Sequence, residues 1–144
     1  MKKHQFQQLL EYIVNSEAKQ LGDFKATADI AAELLSQQLN VSSVVISALS
    51  AETNTLEQVT RLSMLPNVAT DIRPKPQSCS NFILQLKDER HISSENALDD
   101  SRLVELKPYY QALGIVSVLE VAIRINGHLE GTLSLERTEI SEPW

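Results

Sequence analysis

The side chains of this 144-residue chain that could do chemistry form one ordered row and several isolated points. The row lies in VLEVAIRINGHLEGTLSLE, residues 118–136, where Glu120, Arg124, Thr132 and Ser134 share even-numbered positions with Ala122 and Glu136. The odd-numbered positions are mostly aliphatic. A carboxylate, a guanidinium and two hydroxyls on one face of a strand pair suit recognition more than bond-making. Glu120 suits a cationic or amine-bearing ligand, and Arg124 suits an anionic one. A cross-strand salt bridge from Arg124 to Glu130 explains the same residues with less.

The isolated points carry weaker signals. Cys79 is the sole cysteine, which excludes a disulfide framework and any CxxC motif. A lone thiol is ordinarily a small buried side chain. His4, His91 and His128 show no metal-ligand spacing. His91 opens a short predicted strand, where it either borders a cavity or makes an ordinary hydrogen bond. Glu95, Asp99 and Asp100 are natural ligands for a divalent cation, yet helix capping by Asp99, Asp100 or Ser101 accounts for them more simply. Phe82, Tyr109 and Tyr110 either line a pocket or fill a core. No Ser-His-Asp set, phosphate-cradling glycine loop or paired-carboxylate motif stands out, and an enzyme is not expected.

These residues need elements to hold them. Asn126-Gly127 marks a hairpin turn. A two-residue turn would oppose Leu119 to Ser134 and mix the aliphatic and polar rows. A three-residue loop, Ile125-Asn126-Gly127 with a bulge at the glycine, opposes Ile123 to Leu129, Val121 to Gly131 and Leu119 to Leu133. That register gives one greasy face and one polar face, and it is the one expected. Upstream, residues 4–20 read as a helix with Phe6, Leu9, Leu10 and Ile13 along one side. Asp23 caps a second helix striped by Phe24, Ala28, Ala31 and Leu35, with Ile30, Leu34 and Leu39 widening the stripe. Residues 43–50 and 55–62 form a first hairpin. Residues 63–78, with three prolines, read as an irregular loop. A short helix at 80–86, a short strand at 91–93 and a helix carrying Leu103, Leu106, Tyr110 and Leu113 come next, the last bent or restarted at Pro108. The order predicts an α+β fold around a central antiparallel sheet. N-terminal helices would cover one face, and residues 64–113 would roof the polar face as a cavity.

Composition sets the outer limits. A 42% hydrophobic chain of this length suits one domain with one real core. A net charge of −6 argues against nucleic-acid or anionic-membrane surfaces as partners. No apolar run approaches the roughly 20 residues that span a bilayer. The single cysteine fits a reducing compartment, and a cytoplasmic location is expected.

Several features then resemble one family. The run from Arg90 to Trp144 has an Asp-rich turn with a D-x-R-like piece at Asp99 to Arg102, then Leu113-Gly114-Ile115. Glycines at 127 and 131 and the aromatic Trp144 complete the pattern. In layout, residues 20–144 resemble a GAF domain of the type found at the front of bacterial sensor histidine kinases and diguanylate cyclases. The resemblance implies a single GAF-like sensory domain over residues 1–144, with helix 1–20 suited to dimerisation. Its fold is GAF/PAS-like, and its role is to bind a small molecule and pass that state through flanking helices to an output domain. The contexts implied are two-component and cyclic di-GMP signalling. The implied partners are an unidentified small-molecule ligand, a histidine kinase or diguanylate cyclase output domain, and a second copy of the chain. With a pocket between the polar strand face and its roof, the ligand-binding residues expected are Phe82, His91, Tyr110, Glu120, Ala122, Thr132 and Ser134. The resemblance leaves the cofactor unknown. Cys79 is followed by Ser80-Asn81, not by the His that follows the chromophore cysteine of some bilin-binding relatives. One cysteine cannot supply the chemistry of the methionine-sulfoxide-reducing branch. The cyclic-nucleotide signature Asn-Lys-x-x-x-Phe-Asp-Glu is absent. A dimerisation module with a ligand-free pocket is the alternative.

Overall fold

The computed structural model describes residues 24–50, 52–63, 79–140 and 143–144. The expected helix at 4–20, the Asp23 cap and the loop at 64–78 lie outside the described residues. Within them, five strands form one antiparallel sheet: β1 (Ser43–Ser50), β2 (Thr55–Ser63), β3 (His91–Ser94), β4 (Ser117–Ile125) and β5 (His128–Arg137). Their spatial order is β2-β1-β5-β4-β3, so β5, last in the chain, pairs with both β1 and β4.

Helix α1 (Phe24–Gln38) covers one face. Ala28, Ala31 and Ala32 let it approach closely, and Leu35 reaches into a layer made by Val44, Ile46, Val121, Ile123, Leu133 and Leu135. Thr60 of β2 donates a hydrogen bond to Asp29, tying helix to sheet. Ile30 and Leu34 do not widen the buried stripe as the periodicity suggests. Ile30 is 52% exposed and Leu34 37%. Among the described side chains of α1 the buried ones are Thr27, Ala28, Ala31, Ala32 and Leu35, a narrow stripe such as a helix presents to a sheet.

The opposite face is covered by α2 (Ser80–Asp88), 3-10 turns at Ala97–Asp99 and Ser101–Leu106, and α3 (Lys107–Leu113). The helix expected around Leu103 and Tyr110 is therefore two pieces. Pro108 sits in the first turn of α3, where its missing N–H costs nothing. Gly114 ends α3 in the left-handed region, φ 69°. Asp100 accepts from the Arg102 amide and from its guanidinium, so the acidic turn caps the second 3-10 segment. The guanidinium also reaches the Ser93 carbonyl, which ties this turn to β3.

The β4–β5 hairpin corrects the expected register. Asn126 and Gly127 both have positive φ, 52° and 80°, and Ile125 pairs with His128. This is a two-residue type I′ turn, not a three-residue loop. The conflict between rows is relieved further along. Ile123 pairs with Gly131 but Arg124 with Leu129, leaving Glu130 as an extra, bulged residue. Beyond it Leu119 faces Leu135 and Glu120 faces Ser134. The greasy and polar faces are those expected from Gly131 onward, but the partners differ by two residues.

Candidate functional site

The polar face of the sheet meets the α2–α3 layer, and there the sequence buries groups that are costly to bury. Glu120, Thr132, Ser134 and Glu136 have no exposed surface, and Ser43 and Ser47 have almost none. Alternation puts them on one side, since Glu120 pairs with Ser134, Ser47 with Thr132 and Ser43 with Glu136. A buried carboxylate persists only if hydrogen-bond donors replace water. Two tyrosines of α3 provide them.

The Tyr110 hydroxyl donates to Glu120 Oε1 at 2.7 Å, and Ser134 Oγ donates to Glu120 Oε2. The Tyr109 hydroxyl donates to Glu136 Oε1 at 2.9 Å, and Ser43 Oγ donates to the same oxygen at 2.7 Å. The two rings meet edge to face, centroids 5.6 Å apart. Adjacent residues of one short helix thus hold two buried carboxylates on neighbouring strands. Arg61 of β2 completes the second cluster, its Nη1 donating to the Tyr109 hydroxyl at 2.9 Å.

Of the seven residues expected at a ligand site, Tyr110, Glu120 and Ser134 are joined directly. Ala122 and Thr132 lie on the same face, as the Ala122–Thr132 pair requires. Phe82 is fully buried in the apolar part of the same layer, with Leu86, Leu103, Leu106 and Val118. His91 is not brought to them. It pairs with Val121 on the α1 side of the sheet and is exposed, because Ile92 is the residue of β3 that turns inward. Arg124 does not pair with Glu130 either. Its Nη2 donates to the carbonyls of Leu86, Lys87 and Glu89 at 2.6, 2.6 and 3.1 Å, closing the C-terminus of α2. Cys79 is buried beside Phe82.

Sequence reading missed Arg61, Tyr109 as a polar contact, and Glu136 with Ser43. In β2, Ile46 pairs with Thr60 but Ser47 with Gln58, so Val59 is an extra residue. That bulge lets Leu56 and Arg61 face the same layer, which strict alternation forbids. A positive charge between Thr60 and Leu62 was the only signal available.

The Thr132 hydroxyl is buried and has no hydrogen-bond partner among the described residues. Two open grooves are present, and Arg61 borders the first. One of about 670 Å³ runs between α1 and β2, and one of about 410 Å³ lies beside Arg102 and Trp144. Among the described residues no three His, Cys, Asp or Glu side chains converge as a metal site. No described helix is long and apolar enough to cross a membrane.

Residues 23–144 match the family described as the GAF domain. No curated protein matches the sequence. Among solved structures, the GAF domain/HD domain protein from Geobacter sulfurreducens superposes with a TM-score of 0.65 at 10% identity, covering 94% of this chain and 82% of its own. The GAF domain from Acinetobacter phosphoenolpyruvate-protein phosphotransferase gives 0.63 at 16% identity over 99% and 82%. A domain assigned to a two-component sensor histidine kinase of Sinorhizobium meliloti 1021 gives 0.60 at 16% identity over 79% and 72%. At these identities the likeness is one of fold.

Proposed function

Because the chain belongs to the GAF domain family, we propose that it is a regulatory, small-molecule-sensing module of a bacterial signalling protein. Its ligand contacts would come from the polar sheet face and its roof: Tyr110, Glu120, Thr132 and Ser134, with Phe82 and Ala122 as apolar wall. One observation carries this reading. The Tyr110–Glu120–Ser134 chain crosses from roof to floor, and the Thr132 hydroxyl on that floor is buried without a partner among the described residues. A buried hydroxyl left unsatisfied costs about 1–3 kcal/mol, which a ligand would return. A ligand that favours one arrangement of the roof over another biases the position of α3, and through it the output domain. The likeness to a sensor-kinase domain supports a histidine kinase as output, and a diguanylate cyclase is the other output proposed. A cytoplasmic homodimer is part of the same proposal.

The test is native mass spectrometry of the full chain, gently purified from its own host. A reproducible extra mass lost on denaturation supports the sensor. A clean apo mass supports the second reading, a dimerisation scaffold with a filled, ligand-free pocket. The burial of both tyrosine rings within the layer favours that alternative.

A further inference from the structure

Among the described residues, the Arg61 guanidinium of the polar layer has buried donors left without a hydrogen-bond partner. Its side chain is 4% exposed, so it is shut off from bulk water. Nη1 is spent on the Tyr109 hydroxyl, and the charge lies 5.6 Å from the centre of that ring. Nη2 stands 4.0 Å from Glu136 Oε1, close enough for attraction but too far for a hydrogen bond. Nε and Nη2 are both buried and have no hydrogen-bond partner among the described residues. Ser43 and Tyr109 hold Glu136 Oε1 at 2.7 and 2.9 Å, so that oxygen already accepts two hydrogen bonds where it stands.

Nε and Nη2 are the two parallel donors on one edge of the planar group. That edge matches two coplanar oxygens, which is the geometry of a carboxylate. A neutral carbonyl supplies one oxygen and leaves the second donor bare. A phosphate dianion carries twice the charge toward Glu136, which already shares this guanidinium. From this geometry we infer that Arg61 is the ligand-anchoring residue of the site and that the ligand is a carboxylate, held through Nε and Nη2. The inference deepens the sensory reading above and rests on it.

The experiment titrates the full chain with acetate, butyrate and benzoate, each paired with its primary amide, and with inorganic phosphate at matched ionic strength. Binding is read by calorimetry and by the Arg61 Nε–H resonance in nitrogen-15 spectra. The expected result is that a carboxylate binds, moves that resonance downfield and outcompetes both its amide and phosphate. Arg61→Gln should weaken the same carboxylate roughly 10- to 100-fold, the loss expected for hydrogen bonds to a charged group. Arg61→Lys should restore part of the affinity. The Nε resonance keeps the test decisive if Arg61→Gln folds poorly. Equal binding of acid and amide, preference for phosphate, an unmoved Nε resonance, or no carboxylate binding overturns the inference. A co-purifying ligand that lacks a carboxylate overturns it while upholding the sensor. An empty protein in native mass spectrometry counts against the sensor itself.

Discussion

The Tyr110 hydroxyl and the Glu120 carboxylate meet at 2.7 Å across the boundary between α3 and the sheet, with neither side chain exposed. This bond joins the roof of the layer to its floor. Tyr110→Phe removes one donor from a buried carboxylate and should destabilise the protein by about 1–3 kcal/mol in urea unfolding. A double-mutant cycle with Glu120→Gln should give a coupling of about 0.5–3 kcal/mol. Additive effects would mean that the two groups do not depend on each other.

Thr132→Val should have the opposite sign. Valine matches threonine in shape and removes the buried hydroxyl that has no partner among the described residues. Unfolding of the ligand-free protein should shift toward higher urea by about 1 kcal/mol. The same variant should lose co-purifying ligand in native mass spectrometry. Destabilisation would show that the hydroxyl is satisfied in the free protein.

Gly131 is needed for its lack of a side chain. A Cβ there would sit 2.2 Å from the Ser47 carbonyl oxygen on β1, a backbone atom that cannot swing away. Gly131→Ala should therefore cost at least about 1–3 kcal/mol, the usual range for overpacking, read by thermal unfolding. An unchanged melting temperature would mean that β1 and β5 separate easily at this point.

The Asp100–Arg102 pair predicts a pH dependence. Hydrogen bonds from the Arg102 side chain, foremost, hold the Asp100 carboxyl down at about 2 from its usual 3.8. A depressed folded value stabilises the folded state above the unfolded pKa, and that contribution disappears as pH falls through the folded one. With Arg102 half exposed, the contribution is about 1–2 kcal/mol. Stability should fall between about pH 4 and pH 2, more steeply in the wild type than in Asp100→Asn. Parallel pH profiles would refute the assignment.

Arg124 should protect α2. Removing its guanidinium in Arg124→Met exposes three carbonyls at the helix end while keeping the aliphatic stem. Amides in the last turn of α2, including Glu89, whose N–H bonds to Gln85, should then exchange faster by roughly tenfold, as for loss of about 1 kcal/mol. Unchanged exchange would mean that the helix end is held by its backbone alone.

How far these features could be read from sequence depended on whether local pattern decided them. The alternation in Val118–Glu136 revealed the two faces because one face had to be apolar. Leu113-Gly114-Ile115 and Asp100-Ser101-Arg102 announced a cap and a turn whose chemistry is local. The hairpin register was different. Any one extra residue restores the pattern of faces, so a bulged loop and a type I′ turn with a bulge at Glu130 look alike in sequence. Arg61 was hidden by the bulge at Val59, and His91 by the inward turn of its neighbour Ile92. Tyr109 read as core because its ring is core. Only the fold could set its hydroxyl beside Glu136.

The unpaired residues Val59 and Glu130 also make the lining of this layer a question of odd and even. Losing Val59 would force either Arg61 or the pair Leu56 and Gln58 across to the α1 side, without altering a single side chain. Losing Glu130 would do the same to one half of β5. With relatives only 10–16% identical, counting from strand ends would therefore match inward residues to outward ones. Equivalent positions must be assigned by the layer each side chain enters, and single-residue insertions in β2 or β5 should be treated as changes in what lines this layer.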